Sequence, residues 1–168
     1  MDYAVNELMR STWDAVRDLD GPVVLGPELR RIVGKGLTRE SGRIYLRAYA
    51  RRRRQTAATM DRWTAERWVN DVHLDSALPA ADPAWRADVL RQAVGLVRQV
   101  LPEFAALAAG PVQAVIGLQS APGREDPETD FPVSSVHLYQ LGRADAAARE
   151  SIETYTQPIL AITCHDHR

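Results

Sequence analysis

The stretch GRIYLRAYARRRR, residues 42–54, sets six arginines, Arg43, Arg47, Arg51, Arg52, Arg53 and Arg54, beside Tyr45 and Tyr49. Guanidinium groups donate paired hydrogen bonds to phosphate or carboxylate oxygens, and tyrosine faces can stack on bases. On a strand, the arginines and tyrosines would share one side while Ile44, Leu46, Ala48 and Ala50 share the other. On a helix, Arg39, Arg43, Arg47, Arg51 and Arg54 would line one stripe, at steps of four, four, four and three. Both readings make an arginine row able to grip an anion or an acidic partner. The competing reading is a solvated face whose arginines pair with nearby Asp and Glu.

A second group ends the chain, in ITCHDHR. His165 and His167 point the same way on an extended backbone, as two ligands of one metal require, and His137 lies in another strand-like segment. Against a metal stands a polar tail, with His137 simply hydrogen-bonded on a sheet face shared with Ser135 and Tyr139. Cys164 with His137 as its base is the one thiolate pairing available. Cys164 alternates with Leu160 and Ile162, however, which favours a buried structural cysteine. The third group is Trp63 and Trp68. Five residues apart, they cannot share a narrow helical stripe, so one of them is a candidate for an exposed interface.

Other chemistries lack their residues. The GKG at 34–36 has neither the spacing nor the hydroxyl of a phosphate-binding loop. The acids Glu125, Asp126, Glu128 and Asp130 resemble a calcium loop only in part, since Pro127 and a missing glycine break the pattern. There is no nucleophile-elbow serine motif. No motif requires a cofactor.

Charge is informative when divided. The chain sums to −1, yet residues 29–54 hold nine arginines and Lys35 against Glu40 alone. Lys35 is the only lysine, so arginine is this protein's default cation, and the acidic first helix is expected to neutralise part of the band. A chain without overall positive charge disfavours nucleic acid as its main partner. Apolar runs are broken before membrane-spanning length, the N-terminus lacks a secretion-signal pattern, and a single cysteine suits a reducing compartment. A cytoplasmic protein is expected.

These groups must be positioned by a single domain over residues 1–168. Val5, Leu8, Met9, Thr12, Val16 and Leu19 predict a helix over 2–19, capped by Asp2 and stopped by DGP. Helical turns entered at Pro27 and ended by glycines follow. Residues 43–51 fit strand and helix equally, and 55–70 read as one helix. ALPAADP is a loop, with Asp82 and Pro83 starting a long helix at Trp85. Pro102 should kink or divide that helix, and AGP should end it at Gly110. The period then changes to two. PVQAVIGLQ, with Val112, Ala114, Ile116 and Leu118 inward, should pair with FPVSSVHLYQL across the acidic loop SAPGREDPETD. RADAAARESIETY predicts a short helix and QPILAITCH a third strand.

The fold expected is α+β, an antiparallel sheet of three or more mostly C-terminal strands packed against several helices. Sheet edges, with a surplus tryptophan, suggest a homodimer. Three functional classes follow. The first is a small cytosolic binding or adaptor protein, whose arginine-rich surface faces a protein partner or a small anion. The second is a small enzyme holding an anionic substrate on Arg43, Arg47 and Tyr45, with or without a metal on His137, His165 and His167. The third is a nucleic-acid-associated protein using residues 39–54.

Overall fold

A computed structural model describes residues 1–17, 23–74, 85–122, 130–142 and 152–165. The chain is α+β. Five strands form an antiparallel sheet in the order β1-β7-β5-β6-β4, comprising β1 (Asp2–Val5), β4 (Asp71–His73), β5 (Val112–Pro122), β6 (Asp130–Gln140) and β7 (Ile159–Cys164). A separate two-stranded ladder joins β2 (Leu37–Glu40) to β3 (Arg43–Leu46). The helices are α1 (Glu7–Asp14), α2 (Pro27–Lys35), α3 (Arg47–Ala57), α4 (Arg62–Val69) and α5 (Trp85–Leu107).

The pair expected from period-two patterning is present, in the register Ile116 to Val136 and Val115 to His137. β7 flanks β5 on its other side, with Ala161 opposite Val115. Alternation gives the sheet two faces. Val112, Ala114, Ile116 and Leu118 turn inward with Val136, Leu138, Leu160 and Ile162, all buried in one cluster with α5 residues such as Leu90, Val97, Leu101 and Phe104. That cluster joins residues from Met9 to Ile162. A smaller one, Tyr45, Ala50, Ala57, Ala65 and Val69, seals α3 against α4.

Helix α2 starts at Pro27 and stops at Gly36, whose φ of 67° suits a residue without Cβ. The single helix expected over 2–19 is instead strand β1 followed by α1. Asn6 makes the change: its Oδ1 accepts from Met9 N at 3.1 Å, capping α1, and from Ile159 N at 2.9 Å, while Nδ2 donates to Gln157 O at 2.8 Å. Asp2 therefore pairs with Thr163 across the ladder and is not a helix cap. Residues 43–51 divide between the two readings, strand to Leu46 and helix from Arg47.

The one helix expected over 55–70 is two. Asp61 caps α4 by accepting from Thr64 N at 3.0 Å, so a cap interrupts the run without Gly or Pro. Helix α5 runs undivided through Pro102, which lies on its exposed side, where the carbonyl left without a partner can meet water. Gly95 lets α5 approach the segment that leads into α2, since a Cβ there would lie 2.8 Å from Val23 Cβ. The expected stop at residues 20–22, the cap at Asp82 and Pro83 and most of the helix after 142 lie outside the described residues, as do residues 123–129 of the acidic loop expected over 120–130, whose two ends are instead strand, β5 running on to Pro122 and β6 starting at Asp130. Within the helix expected after 142, Ile152–Thr154 form a single 3-10 turn. No described helix is long and apolar enough to cross a membrane.

β1 and β4 cover the sheet edges that three strands alone would have left open on β7 and β6. Beyond β4 the margin of β6 is closed by side chains of α4. Glu66 accepts from Ile44 N at 2.8 Å, from Gln140 N at 2.7 Å and from Gln140 Nε2. Asn70, one turn on, donates from Nδ2 to Ile44 O at 2.8 Å and to Leu138 O at 3.0 Å, and accepts from Leu46 N at 2.8 Å. Both residues are fully buried. They join the small ladder to the main sheet, replacing the hydrogen bonds a continuous sheet would have made.

Candidate functional site

The arginine band divides by what its guanidinium groups touch. Arg43 donates to Ala57 O at 2.8 Å and Met60 O at 2.6 Å. Arg53 Nη1 donates to Trp68 O at 3.1 Å and Asp71 O at 2.9 Å. A helix leaves its last carbonyls unpaired with partial negative charge, so these two arginines close the ends of α3 and α4. Arg47 donates to Leu37 O at 2.7 Å and Arg30 to Leu25 O at 3.0 Å. Arg31 pairs with Glu28, and Arg54 reaches Glu40 at 4.0 Å.

The expected row is therefore not one surface. Tyr45 is buried between α3 and α4, and Tyr49 is half-buried beneath the Arg53 guanidinium, 4.8 Å from its ring. Burial pushes the Tyr49 hydroxyl above its ordinary value, against the Arg53 charge. Arg43, Tyr45 and Arg47 do not converge on an open pocket: two are spent on carbonyls and the third is enclosed. Arg51 and Arg52 remain exposed on α3, with no ion pair among the described residues. Of the two tryptophans, Trp63 lies edge-on to Tyr139 at 5.6 Å, whereas Trp68 is 48% exposed. The Arg53 bond to Trp68 O brings the main chain of that residue against α3.

The histidines fall at separate places. His165 Nε2 lies 2.9 Å from Asp2 Oδ2 at the β1–β7 margin. His137 is on β6, beyond β5, and His167 lies outside the described residues. Among the described residues no group of three or more His, Cys, Asp or Glu is arranged to hold a metal ion. Cys164 turns to the α5 side of the sheet, packed against the main cluster, whereas His137 turns to the other side.

Around His137 the expected sheet face shared with Ser135 is present, and the structure brings to it Asp71, His73 and Arg67, which the sequence does not join. Leu74 N donates to Ser134 O at 3.0 Å, so Asp71 opposite His137 and His73 opposite Ser135 are the alternate pairs, whose side chains stand closest. Ser135 Oγ and His137 Nε2 are 3.2 Å apart. His137 Nδ1 lies 3.4 Å from Arg67 O and 3.5 Å from Asp71 Oδ1. Asp71 Oδ2 is 3.1 Å from His73 Nε2, while Oδ1 is buried and accepts no hydrogen bond among the described residues. Burial holds His137 below the ordinary imidazole value, with the Asp71 charge pulling it upward and the Arg67 charge pulling it down. A neutral imidazole between a hydroxyl and a carboxylate can accept a proton from the hydroxyl.

No family model, curated protein or solved structure matches this chain. Function is therefore read from these two places, the α3–α4 corner and the β4–β6 cluster. Asp71 and His73 went unremarked in the sequence because DVH is too short to announce a strand. Its pairing with SVH is set by tertiary structure.

Proposed function

We propose that this chain is a binding protein that takes an acidic segment of a protein partner on the corner formed by α3 and the end of α4. One observation carries the reading: Arg51 and Arg52 are exposed on α3 without an acid to pair with among the described residues, and α4, packed against α3, carries a tryptophan that is 48% exposed. Arginine and tryptophan are the residues most often found to dominate binding energy, the first through forked hydrogen bonds and the second through desolvated area. Arg53 cannot move without releasing the end of α4, so the corner is held rigid and little is lost in ordering it. A net charge of −1 limits long-range attraction to polyanions and favours short-range pairing with a partner's carboxylates. A reducing compartment such as the cytoplasm suits a chain with a single cysteine.

The test is fluorescence anisotropy with a labelled Glu-rich peptide carrying one aromatic residue. Reversing two charges in R51E/R52E should weaken binding at least about tenfold, roughly 1.4 kcal/mol, and Trp68→Ala should weaken it comparably. Equal affinity in wild type and both variants rejects the proposal. A single-stranded oligonucleotide bound more tightly than the peptide, with affinity falling steeply as salt rises, would replace it by the nucleic-acid reading. A small anion such as inorganic phosphate competing fully at low concentration would replace the protein partner by a small ligand. A second copy of this chain is a further candidate occupant, through Trp68 and the outer margins of β1 and β4. Sedimentation over a wide dilution range tests that homodimer.

A further inference from the structure

We propose that Ser135, His137 and Asp71 form a nucleophilic centre for acyl transfer from small carboxylic esters, with the Gln157 amide placed to stabilise the oxyanion. This goes beyond the binding reading and uses a different face of the molecule. Three contacts put the residues in line: Ser135 Oγ to His137 Nε2 at 3.2 Å, His137 Nδ1 to its acceptor Arg67 O at 3.4 Å, and the Asp71 carboxylate, whose Oδ1 lies 3.5 Å from Nδ1 without sharing a hydrogen bond. With Nδ1 against Arg67 O and beside that carboxylate, its proton belongs there, which leaves Nε2 as the base facing the hydroxyl. Asp71 Oδ1 is buried without a donor, so the imidazolium formed when Ser135 loses its proton would find its counter-charge waiting.

The fourth element comes from the neighbouring strand. Gly117 lies opposite Ser135 in the β5–β6 ladder, and a Cβ on it would stand 3.3 Å from Gln157 Nε2. The missing side chain leaves room for the Gln157 amide over Gly117, on the face of the sheet that carries Ser135. Side-chain amides serve as oxyanion donors elsewhere, because a fixed N–H aimed at developing charge needs no reorganisation.

The step balances without a co-reactant beyond water. Ser135 Oγ adds to the ester carbonyl while its proton passes to His137 Nε2. The tetrahedral adduct collapses with loss of the alcohol, which takes that proton, leaving an acyl-serine. Water, deprotonated by the same nitrogen, then releases the carboxylic acid and restores the hydroxyl.

A fluorophosphonate probe tests the centre on the full chain. Attack forms the Ser135 O–P bond, expels fluoride and hands the proton to His137, and the added mass is located by peptide mapping. The expected result is one adduct per chain, on Ser135 and absent from Ser135→Ala, with His137→Gln slowed at least about 100-fold. The charged groups facing His137 are Asp71 and His73 on β4 and Arg67 on α4. The labelling rate should rise with pH to a plateau, with its midpoint below the ordinary imidazole value. Asp71→Asn should move that midpoint lower still, which a merely structural Asp71 would not do. An unlabelled protein, an adduct on another serine, or His137→Gln labelled at the wild-type rate overturns the proposal. Should His137→Gln fail to fold, a labelling rate independent of pH in the native protein has the same force.

Discussion

Glu66 tests how the two sheets are joined. Its carboxylate is fully buried and accepts three hydrogen bonds, from Ile44 N, Gln140 N and Gln140 Nε2, so Glu66→Ala strands two main-chain donors in the interior and leaves the Gln140 amide with Gly42 O alone. Each buried donor left unpaired costs about 1–3 kcal/mol, and because the three share one acceptor group the losses should fall short of additive, at about 3–5 kcal/mol in all. Against a total stability of roughly 5–15 kcal/mol this should lower the melting temperature by about 10 °C. Glu66→Gln keeps the shape and one acceptor oxygen, at about 1–3 kcal/mol. The pair also carries a pH signature. Burial raises the Glu66 carboxyl above its ordinary value, against the hydrogen bonds that favour its charge. A raised acid binds its proton more tightly folded than unfolded. Its contribution is complete below about pH 4.3 and is lost as pH rises through the folded value. Glu66→Gln has no proton to lose, so urea unfolding across this window should show the variant gaining on wild type as pH rises. A gap that stays constant, or widens in favour of wild type, would refute the assignment of Glu66 as a carboxyl destabilised by burial.

Two further substitutions test the frame. Gly95→Ala should destabilise by about 1–2 kcal/mol in urea titration, since a Cβ placed 2.8 Å from Val23 Cβ and 2.9 Å from Val23 Cγ1 outweighs the roughly 1 kcal/mol that alanine gains in a helix. Val23→Ala in the same chain removes Cγ1 but keeps the Cβ at 2.8 Å, so it should restore only part of the loss, and a stabilised Gly95→Ala would show that the contact yields. Asn6→Ala should cost about 2–4 kcal/mol, because it leaves Ile159 N and Gln157 O without their side-chain partner and removes the Oδ1 cap from Met9 N, which keeps only the main-chain O of residue 6. Hydrogen exchange should then quicken in β1 ahead of β5 and β6, and uniform exchange across the sheet would contradict the part given to Asn6.

Where the fold was legible in the sequence, one element's own periodicity decided the matter. Trp85 to Leu107 repeats at three and four because one side of α5 meets the sheet, and Val112 to Leu118 alternates because β5 has one buried face. Asp2–Val5 was not legible: four residues carry too little pattern to outweigh the helix that follows, and their partner β7 lies at the far end of the chain. The division of α3 from α4 was marked by Asp61 and Thr64, a capping signature hidden among strong helix formers. Residues 43–51 satisfied both patterns because strand β3 passes directly into α3.

The arginine band shows why a site is harder to read than a fold. An arginine that closes a helix and an arginine that awaits a ligand are the same letter, and the difference lies in where unpaired carbonyls fall in space. Arg43 and Arg53 were indistinguishable from Arg51 and Arg52 until the ends of α3 and α4 were in place. Once those carbonyls are satisfied, the band no longer measures affinity for anions. Its useful part shrinks to the cations left over, and the net charge of a segment overstates what a partner would meet. The β4–β6 cluster makes the converse point. Asp71 carries no local signal of chemistry, yet a strand of three residues places it opposite His137, next to the Ser135 that the strand period already put on the same face, because antiparallel register sets side chains opposite one another whatever their distance along the chain.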